Sequence, residues 1–416
     1  MIGSGAFTIS GLALADLGSA ALVLLAWVLG GVLATFGALS YGALGRRLPR
    51  SGGEYTVLAQ LVHPLAGFLA GWLSLLAGFT APIAAGALGL QAYFDAALGR
   101  PSGGTPWAGG LAIVLSALAH ATRASLGVSL QNVAVALKLA GIAVFVAIGV
   151  AQVGPGVAHA LAPPARFDLG ALATTVVWVS FAYSGWNAAI YVASELREPA
   201  RNLTRALVGA TALVTLAYLA LNTVFLTAAP EASLAGKAEV GAVAAEALGG
   251  ESLRRALSGL VALALFTSIS SMVMAGPRVY AQMAEDGVLP RFLRAQGDVP
   301  RAAILAQAAL ALVVTAASDL AALFGYAGFL LSASAAATVL VLIRLRRREG
   351  AERVPLPGWP WLPASFVVVT SAAALLMAVR EPLVAGIGVL TVAAGLPVYL
   401  FAGGARGAAL RAGGER

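Results

Sequence analysis

One lysine in the middle of an apolar stretch is the residue best placed to do chemistry. Lys138 lies in Val135-Ala136-Leu137-Lys138-Leu139-Ala140, about 12 residues into an apolar run over 126–152. A lone lysine in hydrocarbon is costly, so it is expected to face a cavity and to carry function. A desolvated lysine can give up its proton, whereas arginine cannot. The 416-residue chain uses arginine 24 times and lysine only twice, at 138 and 237. Two readings stand: an amine that couples protons or mimics a cation, or a structural lysine bonded to backbone carbonyls of a neighbouring broken helix. Ser268, Ser270 and Ser271, in an apolar run over 253–284, are candidates to donate hydroxyls toward it.

Two glycine-interrupted stretches are the second feature. One is Ile2-Gly3-Ser4-Gly5-Ala6-Phe7; the other is Phe181-Ala182-Tyr183-Ser184-Gly185-Trp186-Asn187. In lipid every backbone polar group needs a partner, so unwound backbone is tolerated where it lines a cavity. A broken helix presents N–H groups at one half-helix start and C=O groups at the other half-helix end. The first attracts a carboxylate, the second an ammonium or a cation. Together they suit a zwitterion, which means an amino acid. The bland alternative is that glycine and serine let helices pack closely.

The remaining polar groups carry less. His63 and His120 lie near expected helix ends and His159 in a loop, with no metal-ligand spacing. Glu195 and Glu198 sit among Arg197, Arg201 and Arg205 and read as an interfacial ion-pair cluster. Asp16 is 11 residues beyond Gly5, ~16 Å along a helix, and reads as a solvated carboxylate at the outer interface. The run Arg344-Leu345-Arg346-Arg347-Arg348 reads as a membrane-flanking basic stop. No nucleotide-binding G-x-x-x-x-G-K-[ST] loop is present.

The elements that must hold these residues are set by composition. Hydrophobic residues make up 60% and charged residues 11%, and mean hydropathy is +0.89. Ordinary soluble domains carry roughly 25% charge, so this is an integral membrane protein. A soluble enzyme, a disulfide scaffold, a disordered chain and a nucleic-acid binder are excluded. The net charge of +8 reads as basic cytoplasmic loops. With no cysteine, a disulfide-linked partner subunit is excluded and so are thiolate metal sites.

A membrane helix needs about 20 predominantly apolar residues. Eleven runs qualify: 20–45, 60–95, 107–122, 126–152, 169–194, 203–228, 253–284, 301–317, 320–344, 360–379 and 382–402, after a shorter piece at 1–17. The first segment lacks the charged n-region of a signal peptide. Placing the loop after 20–45 in the cytoplasm puts 19 basic residues on that side and 6 on the other. This split predicts a cytoplasmic C-terminus in a cytoplasmic-membrane protein. The two broken stretches then fall on the first and sixth helices, as in an inverted five-helix repeat.

At these residues the chain resembles the amino acid/polyamine/organocation superfamily of permeases. Ile2 to Phe7 is similar to its first-helix G-S-G-I-F signature. Phe181 to Asn187, followed by Glu195, Pro199, Arg201 and Asn202, resembles its sixth-helix signature, in particular that of the L-type amino acid exchanger branch. Ser51-Gly52-Gly53-Glu54-Tyr55 and the stretch from Arg278-Val279-Tyr280 to Asp286-Gly287-Val288-Leu289-Pro290 are further marks. The resemblance implies an all-α polytopic fold of twelve helices. Residues 1–152 would form the first repeat and 169–345 the second. Peripheral helices would occupy 360–402, and a cytoplasmic tail 403–416. It implies that Ile2, Gly3, Ser4 and Gly5 hold the substrate carboxylate. Backbone carbonyls around Phe181, Ala182 and Ser184 would take the amine, with Phe181 also gating. Asn187 matches a polar position beside the unwound sixth helix. Lys138 matches a lysine that replaces sodium and links protons to transport, with Ser270 and Ser271 near the positions facing it. The family has a half-helix before G-S-G. The first helix therefore reads as truncated at its cytoplasmic half, and roughly 20–30 further N-terminal residues are expected.

The expected function is secondary transport of amino acids by alternating access, with proton coupling an open option. Neutral substrates lead, because no carboxylate falls clearly at midplane depth. A polyamine or cationic amino acid exchanger is the alternative, and a non-transporting membrane subunit a third. No enzyme activity and no cofactor are expected. The partners are an amino acid, the bilayer and, under coupling, protons.

Overall fold

Short local signals set the helix ends. Asp168 caps a helix by accepting from the amides of Gly170 and Ala171 at 2.7 and 3.1 Å. Asp319 caps another from Ala322 at 2.9 Å. Gly18, at φ 60°, closes the first helix in the left-handed conformation that glycine adopts without penalty. Arginines gather in last turns, at Arg46 and Arg47 and at Arg346 to Arg348, where they complement the helix dipole.

The computed structural model describes residues 2–48, 53–101, 103–122, 127–152, 167–187, 190, 199–295, 297 and 299–403. Among these it has fourteen helices of nine or more residues. They are α1 Ser4–Leu17, α2 Ala20–Arg47, α3 Gly53–Leu61, α4 Pro64–Leu73, α5 Ala81–Ala97, α6 Trp107–Thr122 and α7 Gly127–Gln152. There follow α8 Leu169–Ala182, α9 Pro199–Thr227, α10 Val240–Glu285, α11 Arg301–Ala317, α12 Leu320–Glu349, α13 Trp361–Arg380 and α14 Pro382–Gly403. Eight stretches are long and apolar enough to cross a membrane, α4 and α5 counting as one. The shorter α1, α6, α8 and α11 bring the described apolar helices to twelve. The protein is an all-α polytopic membrane protein.

Three expected spans change shape. The run at 60–95 divides into α3, then α4 and α5 joined by a seven-residue π-helical segment, Ser74–Thr80. Such a wide turn shifts the facing of everything beyond it. The run at 253–284 is the longer part of α10, which bends at Gly249 and Gly250, the latter at φ 66°. The run at 169–194 stops being helical at Ala182. Its end, with Glu195 and Glu198, lies outside the described residues.

Two short apolar helices, α1 and α8, are largely buried. Eleven of the 14 residues of α1 and eleven of the 14 of α8 are buried. A helix that is apolar all round belongs inside a bundle. By contrast α14 exposes Leu390, Leu400 and Phe401, as a lipid-facing peripheral helix would. α2 packs along α9, and α10 along α5. A polar chain pins the centre. Trp27 Nε1 donates to Ser10 Oγ at 2.8 Å, and Ser10 Oγ donates to Asn222 Oδ1 at 2.6 Å. This ties α1, α2 and α9 together, and Asn222 Nδ2 donates in turn to Tyr218 O at 2.9 Å.

The helices alternate between an arginine-rich end, with Arg46, Arg278 and Arg346, and an opposite end with Asp16 and Lys237. Asp16 is not simply solvated there. Arg380 clamps it bidentately at 2.6 and 2.9 Å, joining α1 to α13. Both side chains are partly exposed, so the pair contributes below about 1 kcal/mol. Asp16→Asn should lower the detergent melting midpoint slightly at low salt. At 1 M salt the difference from wild type should vanish, since the Debye length is then about 3 Å.

Candidate functional site

The break after α8 and the start of α1 meet at the centre of the bundle. α8 ends at Ala182, and Tyr183 to Asn187 run as turns, with Gly185 at φ 94°. Only glycine takes that conformation cheaply. Ser184 N donates to Phe181 O at 2.9 Å, and Tyr218 Oη donates to Ala182 O at 3.1 Å. Gly5 lies directly on Ala182: a Cβ there would be 2.7 Å from the Ala182 Cβ. Gly3 is the N-cap of α1 in extended conformation, and among the described residues no side chain caps the helix. The first N–H groups of a helix have no intrahelical partner. This start is therefore a positive helix end without a side-chain cap beside a non-helical segment, with Ser4 and Gly5 buried.

Lys138 reaches the same place. Its Nζ donates to Ile2 O at 3.0 Å and to Ser268 Oγ at 3.2 Å. Ser268 Oγ also lies 3.3 Å from Ile2 O. The lysine thus bonds a backbone carbonyl just ahead of the first turn of α1. Of the three candidate serines it is Ser268 that bonds the lysine. Ser270 bonds His120 Nε2 at 2.9 Å, and Ser271 donates to Thr267 O at 2.7 Å. On a helix, residues two apart point to different sides, so Ser268 and Ser270 cannot both face α7. Phe181 is buried with its ring centroid 5.1 Å from that of Phe324.

A cavity of about 960 Å³ runs from Gly30 and Ser180 in the centre to Gln60, Arg278 and Gln282 at the arginine-rich end. Those last three side chains are exposed, so the cavity is open there. Ser184 and Asn187 line it. Ile2, Gly3, Ser4, Gly5, Phe181 and Ala182 do not form its wall. They stand deeper, where α1 meets α8. The volume suits a small-molecule site, for which about 300–1,000 Å³ is typical.

The opposite end is shut. Gly236 N donates to Gly11 O at 2.8 Å, and a Cβ on Gly11 would collide with Lys237 O. Tyr93 Oη donates to Phe7 O at 2.7 Å and accepts from Gly241 N at 3.0 Å. One hydroxyl therefore holds α5, α1 and the segment over them. Tyr93→Phe removes the first bond and leaves the Gly241 N–H buried without its acceptor, at a cost of about 1–3 kcal/mol. Denaturation in mixed micelles should report that loss. An unchanged midpoint would mean that this closure does not depend on the hydroxyl.

Glu54 is a site residue that the sequence did not single out for chemistry. It lines the cavity yet is only 4% exposed. Its Oε1 accepts from Tyr41 Oη at 2.6 Å and from Asn187 Nδ2 at 3.1 Å, and its Oε2 pairs with Ser334 Oγ at 3.2 Å. Burial pushes its pKa up, while these three bonds pull it back. Nearby, Tyr55 Oη donates to Asp286 Oδ2 at 2.8 Å, joining α3 to the end of α10. The available signal was an acid directly after Gly52-Gly53, followed by tyrosine. Nothing local says that it folds inward. Among the described residues no cluster of three or more His, Asp or Glu could hold a metal.

A one-sided cavity, an uncapped central helix start and a lysine on its carbonyl are the parts of a carrier. A sequence model described as amino acid permease matches residues 1–401. The rat large neutral amino acids transporter small subunit 2 is 30% identical over 416 residues, covering 96% of this chain and 78% of its own. The mouse Asc-type amino acid transporter 1 is 28% identical, covering 96% and 78%. The Bacillus subtilis serine/threonine exchanger SteT is 28% identical over 423 residues, covering 96% and 92%. The chain belongs to the amino acid permease family, and is a membrane transporter rather than an enzyme.

Proposed function

We propose that this permease exchanges neutral amino acids across the cytoplasmic membrane by alternating access around the meeting point of α1 and α8. The observation that carries this is the uncapped start of α1 beside the non-helical segment after Ala182. The N–H groups around Gly3, Ser4 and Gly5, with Ile2 before them, would hold the carboxylate. The carbonyls of Phe181, Ala182 and Ser184 would take the ammonium. A carbonyl already bonded once retains a second lone pair, so the bonds from Ser184 N and Tyr218 leave capacity. Phe181 would gate by leaving Phe324. Lys138 would link any proton movement to the start of α1, with Ser268 as its immediate partner, while Ser270 and Ser271 act at one remove.

Residues 1–152 and 169–345 are proposed as the two inverted repeats. Support comes from α1 and α8, the first helix of each, which are equally short and equally buried. The arginine distribution supports a cytoplasmic C-terminus, which makes the open end of the cavity cytoplasmic. The relatives' names favour neutral substrates. Glu54 would be the natural partner for a polyamine or cationic side chain, but its carboxyl is already engaged by Tyr41, Asn187 and Ser334.

Counterflow in proteoliposomes tests this. Vesicles preloaded with unlabelled serine, alanine or leucine should accumulate the labelled amino acid transiently, and vesicles preloaded with lysine or putrescine should not. Accumulation driven only by the cations would transfer the reading to the polyamine and cationic class.

A further inference from the structure

We propose that Glu54 positions the non-helical segment Tyr183–Asn187 for transport. Its carboxyl group is the hydrogen-bond hub joining that segment to α2 and α12 at the cavity wall. This deepens the exchange reading above and rests on it.

Three elements converge on one carboxyl group. Tyr41 comes from α2, Asn187 from the segment after α8, and Ser334 from α12, 280 residues away in sequence. All three contacts lie within hydrogen-bond range. The carboxyl is buried although its residue lines an open cavity, so its own backbone and partners shield it. Among the described residues no lysine, arginine or histidine pairs with it. A buried carboxylate without a cation is costly, and burial raises its pKa. Three donors offset that cost: Tyr41 Oη and Asn187 Nδ2 donate to Oε1, and Ser334 Oγ donates to Oε2. Tyr41 is the titratable group facing it from α2. α12 presents Ser334, and the segment after α8 presents Asn187.

Alternating access requires the segment after α8 to move relative to α2 and α12. A hub with two bonds to one side and one to the other holds it until substrate arrives. Asn187 is the residue through which Glu54 acts, because its amide is the contact within the segment itself. Two residues earlier, Gly185 at φ 94° supplies the backbone freedom for the segment to turn about that anchor.

The test compares wild type with Glu54→Gln, Glu54→Ala, Asn187→Ala and the Glu54→Ala/Asn187→Ala double variant in proteoliposomes. Glutamine keeps an acceptor in the place of Oε1 and presents an amide donor to Ser334 Oγ, which can itself accept. Glu54→Gln should exchange within about threefold of wild type, and Glu54→Ala should fall at least about tenfold, as expected when a buried hydrogen-bonded group is truncated. If Glu54 acts through Asn187, the double variant falls no further than the worse single variant. A second readout does not depend on substrate. The chain has no cysteine, so Ser332→Cys on the α12 wall of the cavity is a unique label for an impermeant maleimide. Its labelling rate should shift in Glu54→Ala and not in Glu54→Gln. The proposal is overturned if Glu54→Ala exchanges and labels as wild type does. It is equally overturned if Glu54→Gln is as impaired as Glu54→Ala, or if the two single effects multiply in the double variant. If the wild type itself exchanges no amino acid, the exchange reading fails, and the labelling comparison still decides the hub.

Discussion

Lys138→Ala is expected to reduce amino acid exchange by about 10- to 100-fold while leaving a folded, purifiable protein. The Nζ makes two short bonds at the start of α1, to Ile2 O and Ser268 Oγ. Hydrogen bonds to a charged group contribute about 1.5–3 kcal/mol, and each 1.4 kcal/mol is about tenfold. Removing the ammonium leaves the Ile2 carbonyl facing only a serine. It also frees the extended backbone at Gly3, whose position sets where the first N–H groups of α1 stand. Lys138→Arg should not rescue. The guanidinium is planar and wider than the ammonium, and the contact is a half-buried one confined between Ile2 O and Ser268 Oγ. Ser268→Ala should be affected in the same direction but less. Ser270→Ala should stay near wild type, because Ser270 bonds His120 instead. Initial rates of exchange measure all four variants. If Lys138→Ala keeps more than half the wild-type rate, the lysine is a structural plug, and its coupling role goes with it.

Gly5→Ala is expected to bring exchange close to background, with the double variant Gly5→Ala/Ala182→Gly recovering part of it. The new Cβ would sit 2.7 Å from the Ala182 Cβ, 2.9 Å from its Cα and 3.0 Å from Ile9 Cδ1. Two of these are closer than packed carbon atoms come, so α1 and α8 must part. Overpacking of this kind costs about 1–3 kcal/mol. Here it acts on the contact that sets the two half-helix ends beside each other. Replacing Ala182 with glycine removes the nearest atom and leaves the backbone contact, so recovery should be incomplete. Size-exclusion profiles in detergent separate loss of function from loss of fold. Wild-type exchange by Gly5→Ala would show that the two ends need not touch.

Much of this architecture is legible in the sequence because its cause is local. Each membrane span depends on its own run of apolar residues, so the start of α2, the start of α12 and the ends of α13 lie within a residue or two of the expected bounds. The break after Ala182 follows from Gly185 and its polar neighbours in one short stretch. The isolation of Lys138 follows from the apolar residues on either side of it. Composition alone made the protein an integral membrane protein, and the motifs on the first and sixth helices pointed to a permease.

Other features depend on how distant helices are rotated and shifted against one another, which no local pattern encodes. Ser268 rather than Ser270 or Ser271 meets the lysine, since the phase of α10 against α7 selects one serine of three. Phe181 turns to Phe324 because α12 offers an aromatic partner at that height. The π-helical segment at Ser74–Thr80 rotates α5, and the bend at Gly249 and Gly250 redirects α10. Asp16 finds Arg380 from 364 positions away. Glu54 shows the limit most clearly. From sequence it is a hydrophilic residue in a loop between two spans. It becomes a buried hub only when α2, α12 and the segment after α8 converge on it. Burial of a carboxyl group is a property of its surroundings, and those surroundings are assembled by tertiary packing.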